Sequence, residues 1–243
     1  MMGSLGTSRT SVYDPFNGAL GARSTEDAIT RLIDVNEYNL VNPNYAINKS
    51  YRTNCALCAT AVVLQALGYN VEAMPKDENR WRGFDSVFEV DYTNTDNYFL
   101  SGSRYSITGV PEVNSHGKLN TIKPGEMKST IIDNPPRAAR GADAVAKQIE
   151  EKAKGWGNGA VGVLNVSWKD RNSAHAINII NRNGRIFGYD AQSNKVIMDL
   201  PKYMKRTTAN NTTLVRLDNA QIKSNITQET LDKMFKKSSR KKN

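Results

Sequence analysis

Between Cys55 and Leu67 almost every residue is apolar or small, in the run CALCATAVVLQAL, and Gly68 follows it as a C-terminal cap. A run of that length with so little polar interruption predicts a helix buried on most of its sides. YNVEAM, just beyond, predicts a short strand. Further on, apolar or small residues at 142, 145, 146, 149 and 153 recur at helical spacing, predicting a helix from Ala142 to Lys154 that Gly155 ends. The pattern then changes. AVGVLNVSW, HAINIIN, RIFGYDAQ and KVIMDL read as strands, with Asn183-Gly184 and Ser193-Asn194 at tight hairpin turns. Helices ahead of an antiparallel meander make an α+β domain.

The flanks are less regular. Residues 1–23 are rich in Gly, Ser and Pro and read as a flexible segment, and Ser24 with Asp27 resembles a capping box opening a short helix through Val35. VNPNYAINKSYRTN, residues 41–54, reads as an ordered loop. Residues 76–135 show no sustained period and form a variable, insertion-like segment of one domain spanning 24–225. Residues 226–235 predict a closing amphipathic helix, and a basic tail completes 226–243.

Composition narrows the function classes. With 243 residues and 39% hydrophobic content the chain can bury a sizeable core, and no apolar run approaches a membrane span. The N-terminus lacks the basic-then-apolar pattern of a secretory signal. Met1 to Ser4 reads as an added start, which leaves room for an upstream delivery region, and the chain is expected to be soluble. A net charge of +9 invites a nucleic-acid reading, but five of the 33 basic residues crowd into Lys236, Lys237, Arg240, Lys241 and Lys242. That distribution fits a frayed tail better than a nucleic-acid surface, and an acidic protein partner fits it about as well as nucleic acid does.

Only Cys55 and Cys58 are available as thiols, and their spacing excludes a disulfide framework. With Asn54 as N-cap, Cys55 stands in the first turn of the buried helix, where free N–H groups and the helix dipole favour a thiolate. A cysteine nucleophile needs a base, a group orienting that base, and donors for an oxyanion. His175 opens HAINIIN, and Asp190 closes the next strand. A turn at Asn183-Gly184 sets His175 opposite Gln192 and leaves Asp190 diagonally adjacent on the same face. Cys55 as nucleophile, His175 as base and Asp190 as orienting acid complete a triad, with Asn54 and Gln192 as candidate oxyanion or substrate-binding amides.

Rival chemistries use the same atoms. CALC also matches a redox Cys-x-x-Cys, but a polar loop precedes it where a strand of a βαβ unit is required. Zinc on Cys55, Cys58, His116 and His175 lacks the usual short histidine spacing, and no metal or cofactor is expected. Cys58 is expected in the core beside Leu57 and Ala61, His116 in a loop, and Trp81, Trp156 and Trp168 in core or cleft walls.

NPNY with YRTNCALC, LQALGYNVEAMP, SAHAINIINRNG and YDAQ together resemble the papain-fold toxin domains of bacterial polymorphic toxins, including those attached to phage minor head proteins. Those domains are similar to effector glutamine deamidases. The resemblance spans residues 41–80 and 140–200 and implies a papain-like fold, with a buried nucleophile helix packed on a small antiparallel sheet. It places that family's nucleophile on Cys55, base on His175, acid on Asp190, preceding Asn on Asn54 and following Gln on Gln192. It implies a toxin or effector delivered to a target cytoplasm, where it would convert a protein glutamine to glutamate, and a cognate immunity protein. Peptide-bond cleavage and transglutaminase-like acyl transfer use the same groups, and a non-catalytic module binding an acidic protein or nucleic acid is the alternative from another class.

Overall fold

The computed structural model describes residues 41–76, 83–91, 94, 96, 98–101, 105–108, 129–132, 141–208 and 212–238. The expected segment 1–23, the helix from Ser24 to Val35, Trp81, His116, most of 76–135, and Arg240, Lys241 and Lys242 lie outside the described residues.

A 3-10 turn, Lys49–Arg52, leads into helix α1, Cys55–Ala66. Strand β1, Val71–Ala73, follows, then β2, Phe88–Glu89, β3, Tyr98–Ser101, β4, Tyr105–Thr108, and β5, Ser129–Ile132. Helix α2, Ala142–Gly155, precedes β6, Val161–Ser167, β7, Ala174–Arg182, β8, Arg185–Asp190, and β9, Lys195–Ile197. The chain closes with α3, Leu200–Met204, β10, Thr212–Arg216, β11, Gln221–Ile222, α4, Gln228–Asp232, and β12, Phe235–Lys237.

The expected meander is the greater part of a six-stranded sheet in the order β3-β10-β6-β7-β8-β9, antiparallel throughout. The other two strands are β10, which returns from beyond α3 to pair with β6, and β3, which pairs with the far side of β10. Both faces are covered, which explains why HAINIIN reads as an almost continuous apolar run. Ala176 and Ile180 of β7 pack with α1 residues Leu57, Cys58, Ala61 and Val62, and Ile177 and Ile179 pack with Val145 and Ile149 of α2 and Leu200 and Met204 of α3. Each fully buried Leu or Ile contributes about 1.5–3 kcal/mol, so a helix as apolar as α1 is held mainly by this contact.

The β7–β8 turn follows the Asn-Gly rule. Asn183 and Gly184 have φ of 52° and 80°, the left-handed pair of a type I′ turn. Gly162 on β6 is required for another reason: a Cβ there would stand 2.6 Å from the Val215 carbonyl oxygen and 2.7 Å from the Trp156 ring.

Residues 226–235 depart from the expected helix. Only Gln228–Asp232 is helical, and Phe235–Lys237 is extended and antiparallel to β1. Lys236 and Lys237 therefore belong to the fold, and Lys236 Nζ stands 3.1 Å from the buried Glu72 carboxylate.

Candidate active site

Cys55 is the first residue of α1 and only partly buried, while Cys58, one turn on, is fully buried in the core. The first intrahelical bond runs from Cys58 N–H to the Asn54 carbonyl at 3.0 Å. The N–H groups of Cys55 and Ala56 precede it and point out of the helix end.

His175 lies near the start of β7, opposite Val166 of β6, with Asp190 at the end of β8. Its Nε2 is 3.2 Å from Asp190 Oδ2, and the side chain also hydrogen-bonds Cys55. With Nε2 on the carboxylate, Nδ1 is the nitrogen left for the sulfur. Asp190 is itself held. Its Oδ1 accepts from the N–H groups of Gln192 and Ser193 at 3.2 and 3.4 Å, and its Oδ2 accepts from Ser193 Oγ at 2.7 Å. A carboxylate tied at this many points presents one fixed oxygen to the imidazole.

The electrostatics follow. Burial alone would raise the Cys55 thiol, but the hydrogen bond and charge of His175, with the Ala176 and Ala56 N–H groups, bring it below 9.0. Burial works to lower His175, yet Asp190 and Cys55 push it up to about 9. Burial also disfavours the Asp190 carboxylate, and His175 and Ser193 outweigh that and hold its pKa down. The combination favours a thiolate beside an imidazolium. Burial, followed by the charges of Cys55 and Asp190, drives the Cys58 thiol well above 9.0, so it stays neutral.

Asn54 and Gln192 also lie together here, in arrangements that the pattern did not foresee. Asn54 occupies the N-cap position, but its side chain makes no capping bond. It is buried, with Nδ2 donating to the Met74 carbonyl at 3.0 Å and to Asn42 Oδ1 at 3.4 Å. Those two bonds use both amide protons, which leaves none for an oxyanion. Gln192 does not sit opposite His175, because the β7–β8 ladder stops at Asn178 and Tyr189 and the chain turns over Asp190. Its Nε2 donates instead to Asn54 Oδ1 at 3.3 Å. Asn42, the first residue of NPNY, completes the network, donating to the Tyr51 carbonyl at 3.0 Å and the Gln192 carbonyl at 2.8 Å. Sequence reasoning passed over Asn42, because an Asn before Pro43 reads as a turn residue, and its carbonyl does accept from Tyr45 N–H at 3.2 Å; the buried role of its side chain carries no local mark.

Trp168 was likewise unassigned between core and cleft. Its ring stacks on His175 with centroids 5.7 Å apart and 27° between planes, and Tyr203 meets it edge-on at 5.6 Å. The stacked indole closes one side of the imidazole to water. Burial, with the Asp190 charge, raises the Tyr203 pKa, so its buried hydroxyl stays protonated. Among the described residues no group of three or more His, Cys, Asp or Glu is placed to hold a metal ion.

A half-buried, hydrogen-bonded Cys-His-Asp chain with the thiol at a helix end is suited to nucleophilic attack on an acyl carbon. The family model described as papain fold toxin 1, glutamine deamidase, matches residues 53–195, from two residues before Cys55 to beyond Asp190. No curated protein and no solved structure matches the chain.

Proposed function

The chain belongs to the papain fold toxin 1, glutamine deamidase, family, and from that premise we propose that Cys55, His175 and Asp190 act together to hydrolyse a glutamine side-chain amide in a target protein. The observation that carries the reading is His175 held between the Cys55 thiol and an Asp190 carboxylate 3.2 Å away.

The steps follow from that geometry. The Cys55 thiolate adds to the carboxamide carbon of the substrate glutamine, and the carbonyl oxygen becomes an oxyanion facing the N–H groups at the start of α1. The His175 imidazolium protonates the amide nitrogen, the C–N bond breaks and ammonia leaves, forming a thioester on Cys55. Neutral His175 then takes a proton from water, the hydroxide adds to the thioester, and glutamate departs as His175 returns the system to its starting protonation. Asp190 fixes the imidazole orientation and stabilises its charged form throughout. Asn54 and Gln192 act as positioning residues rather than as oxyanion donors, since the Gln192 amide donates to Asn54 and the Asn54 amide donates to Asn42 in the loop before Cys55 and to the Met74 carbonyl just beyond β1.

A deamidating toxin acts on a protein target, so delivery into another cell's cytoplasm and a neutralising partner bound over Cys55 belong to the same proposal. No helix among the described residues is long and apolar enough to cross a membrane. The test is proteome mass spectrometry of bacteria expressing the chain or its Cys55→Ala form. Glutamine-to-glutamate conversion only with the native chain supports the reading; new peptide termini would assign the same groups to a peptidase.

A further inference from the structure

Beyond the reacting groups, the surface beside His175 is built around one indole. Arg171 and Arg206 place their guanidinium carbons 4.9 Å and 4.9 Å from the Trp168 ring. That ring is also stacked on His175, so both cations sit one aromatic layer from the imidazole. The mounting is rigid. Trp168 N–H donates to the Ser173 carbonyl at 3.0 Å, Lys169 N–H to the Arg206 carbonyl at 3.1 Å, and Thr208 N–H to the Ser167 carbonyl at 2.9 Å. These bonds clamp the β6–β7 loop against the segment after α3.

Among the described residues the charges on this face are largely uncommitted: Arg206 makes no ion pair there, and Arg171 meets only its exposed neighbour Asp170, at 3.6 Å. A guanidinium stacked on indole keeps its N–H edge free for carboxylate oxygens, and stacking reduces the side-chain freedom lost when one binds. Two such edges beside a reacting centre suit acidic side chains next to the residue being modified. We propose that Arg171 and Arg206 on Trp168 recognise carboxylates flanking the substrate, so that the preferred target is a glutamine in an acidic segment of protein. The proposal rests on the reading of Cys55, His175 and Asp190 given above and adds a substrate class to it.

The test uses the full chain and two blocked synthetic peptides, one with a glutamine flanked by glutamates and one with it flanked by lysines, followed by ammonia release. The glutamate peptide should show a kcat/KM at least about tenfold higher at low salt, with the difference shrinking as ionic strength rises. Arg171→Glu with Arg206→Glu should abolish or invert the preference, read as the ratio of the two peptides' kcat/KM so that any common effect on Cys55 reactivity cancels. Arg171→Lys with Arg206→Lys should keep part of it. Equal rates for the two peptides, or a preference that survives charge reversal, would overturn the proposal. If neither peptide is hydrolysed, protection of Cys55 from iodoacetamide is the readout. Stronger protection by the glutamate peptide upholds the acidic selectivity and counts against hydrolysis; equal or no protection overturns the selectivity. Stronger protection by a single-stranded RNA than by the glutamate peptide would overturn it in favour of nucleic acid.

Discussion

Gln192 and Asn54 are 138 residues apart in the chain, and the amide of the first donates to the side-chain oxygen of the second at 3.3 Å. Asn54 immediately precedes Cys55, and Gln192 follows Asp190 by two residues, so this bond ties the thiol's helix to the turn that holds the carboxylate. The relative placement of the two ends of the Cys-His-Asp chain is thus fixed by a buried amide network.

Removing Asn54 should therefore damage both stability and chemistry. Asn54→Ala leaves the Met74 carbonyl and the Gln192 amide without their partner, at about 1–3 kcal/mol for each buried group left unsatisfied. Gln192→Ala should cost less. Urea unfolding of both single variants and the double variant should give a coupling of about 0.5–3 kcal/mol. Additivity would show that the bond does not join the two elements.

Asp190→Asn should shift the titration of its neighbours. Without the carboxylate, His175 falls from about 9 and the Cys55 thiol rises from its lowered position. The pH midpoint of Cys55 alkylation should move upward, and kcat/KM should fall by roughly 10²-fold or more. The same substitution changes acid stability. The folded-state pKa of Asp190 is below 3.8, so its contribution is fully present above 3.8 and is lost as pH falls through the lowered value. Unfolding free energies across that window should drop more steeply for the native chain than for Asp190→Asn.

The dependence of activity on pH has two limbs with fixed signs. Activity should rise with pH as the Cys55 thiol, lowered from 9.0, loses its proton, and should fall again as His175 deprotonates near 9. A kcat/KM profile measures both. A profile still rising through pH 10 would contradict the thiolate–imidazolium pairing.

Gly162→Ala tests the packing behind the site. The added methyl meets the Val215 carbonyl oxygen and the Trp156 ring at under 3.0 Å, and overpacking of that kind costs about 1–3 kcal/mol. Thermal unfolding should register the loss. The alkylation rate of Cys55 below the transition should not change, since Gly162 lies away from His175.

How much of this was legible depends on the range of the forces involved. The β7–β8 register could be read from Asn183-Gly184 because a two-residue turn and the strand period are local properties, and the observed pairs Ile179 with Gly188 and Asn178 with Tyr189 follow that register. The end of that ladder could not be read, since Asp190 stops it by taking the N–H groups of Gln192 and Ser193. Asn54 sits at the expected N-cap position, but the partners of its side chain could not be read for the same reason: cap preference is local, and the Met74 carbonyl and Asn42 take its amide. Strand β10 has no local mark joining it to β6 and β3, and Phe235 satisfies an apolar period equally as helix or strand until β1 is there to pair with it. The stack of Trp168 on His175 joins two strand ends that only the folded β6–β7 turn brings together.

The most direct test of the central claim compares the native chain with Cys55→Ala, each expressed in bacteria, by growth and by mass spectrometry of the soluble proteome. Growth arrest with the native chain, its loss on substitution, and a glutamine converted to glutamate in a defined protein only when Cys55 is present are the predicted results. Identical growth and identical proteomes for the two forms would contradict it.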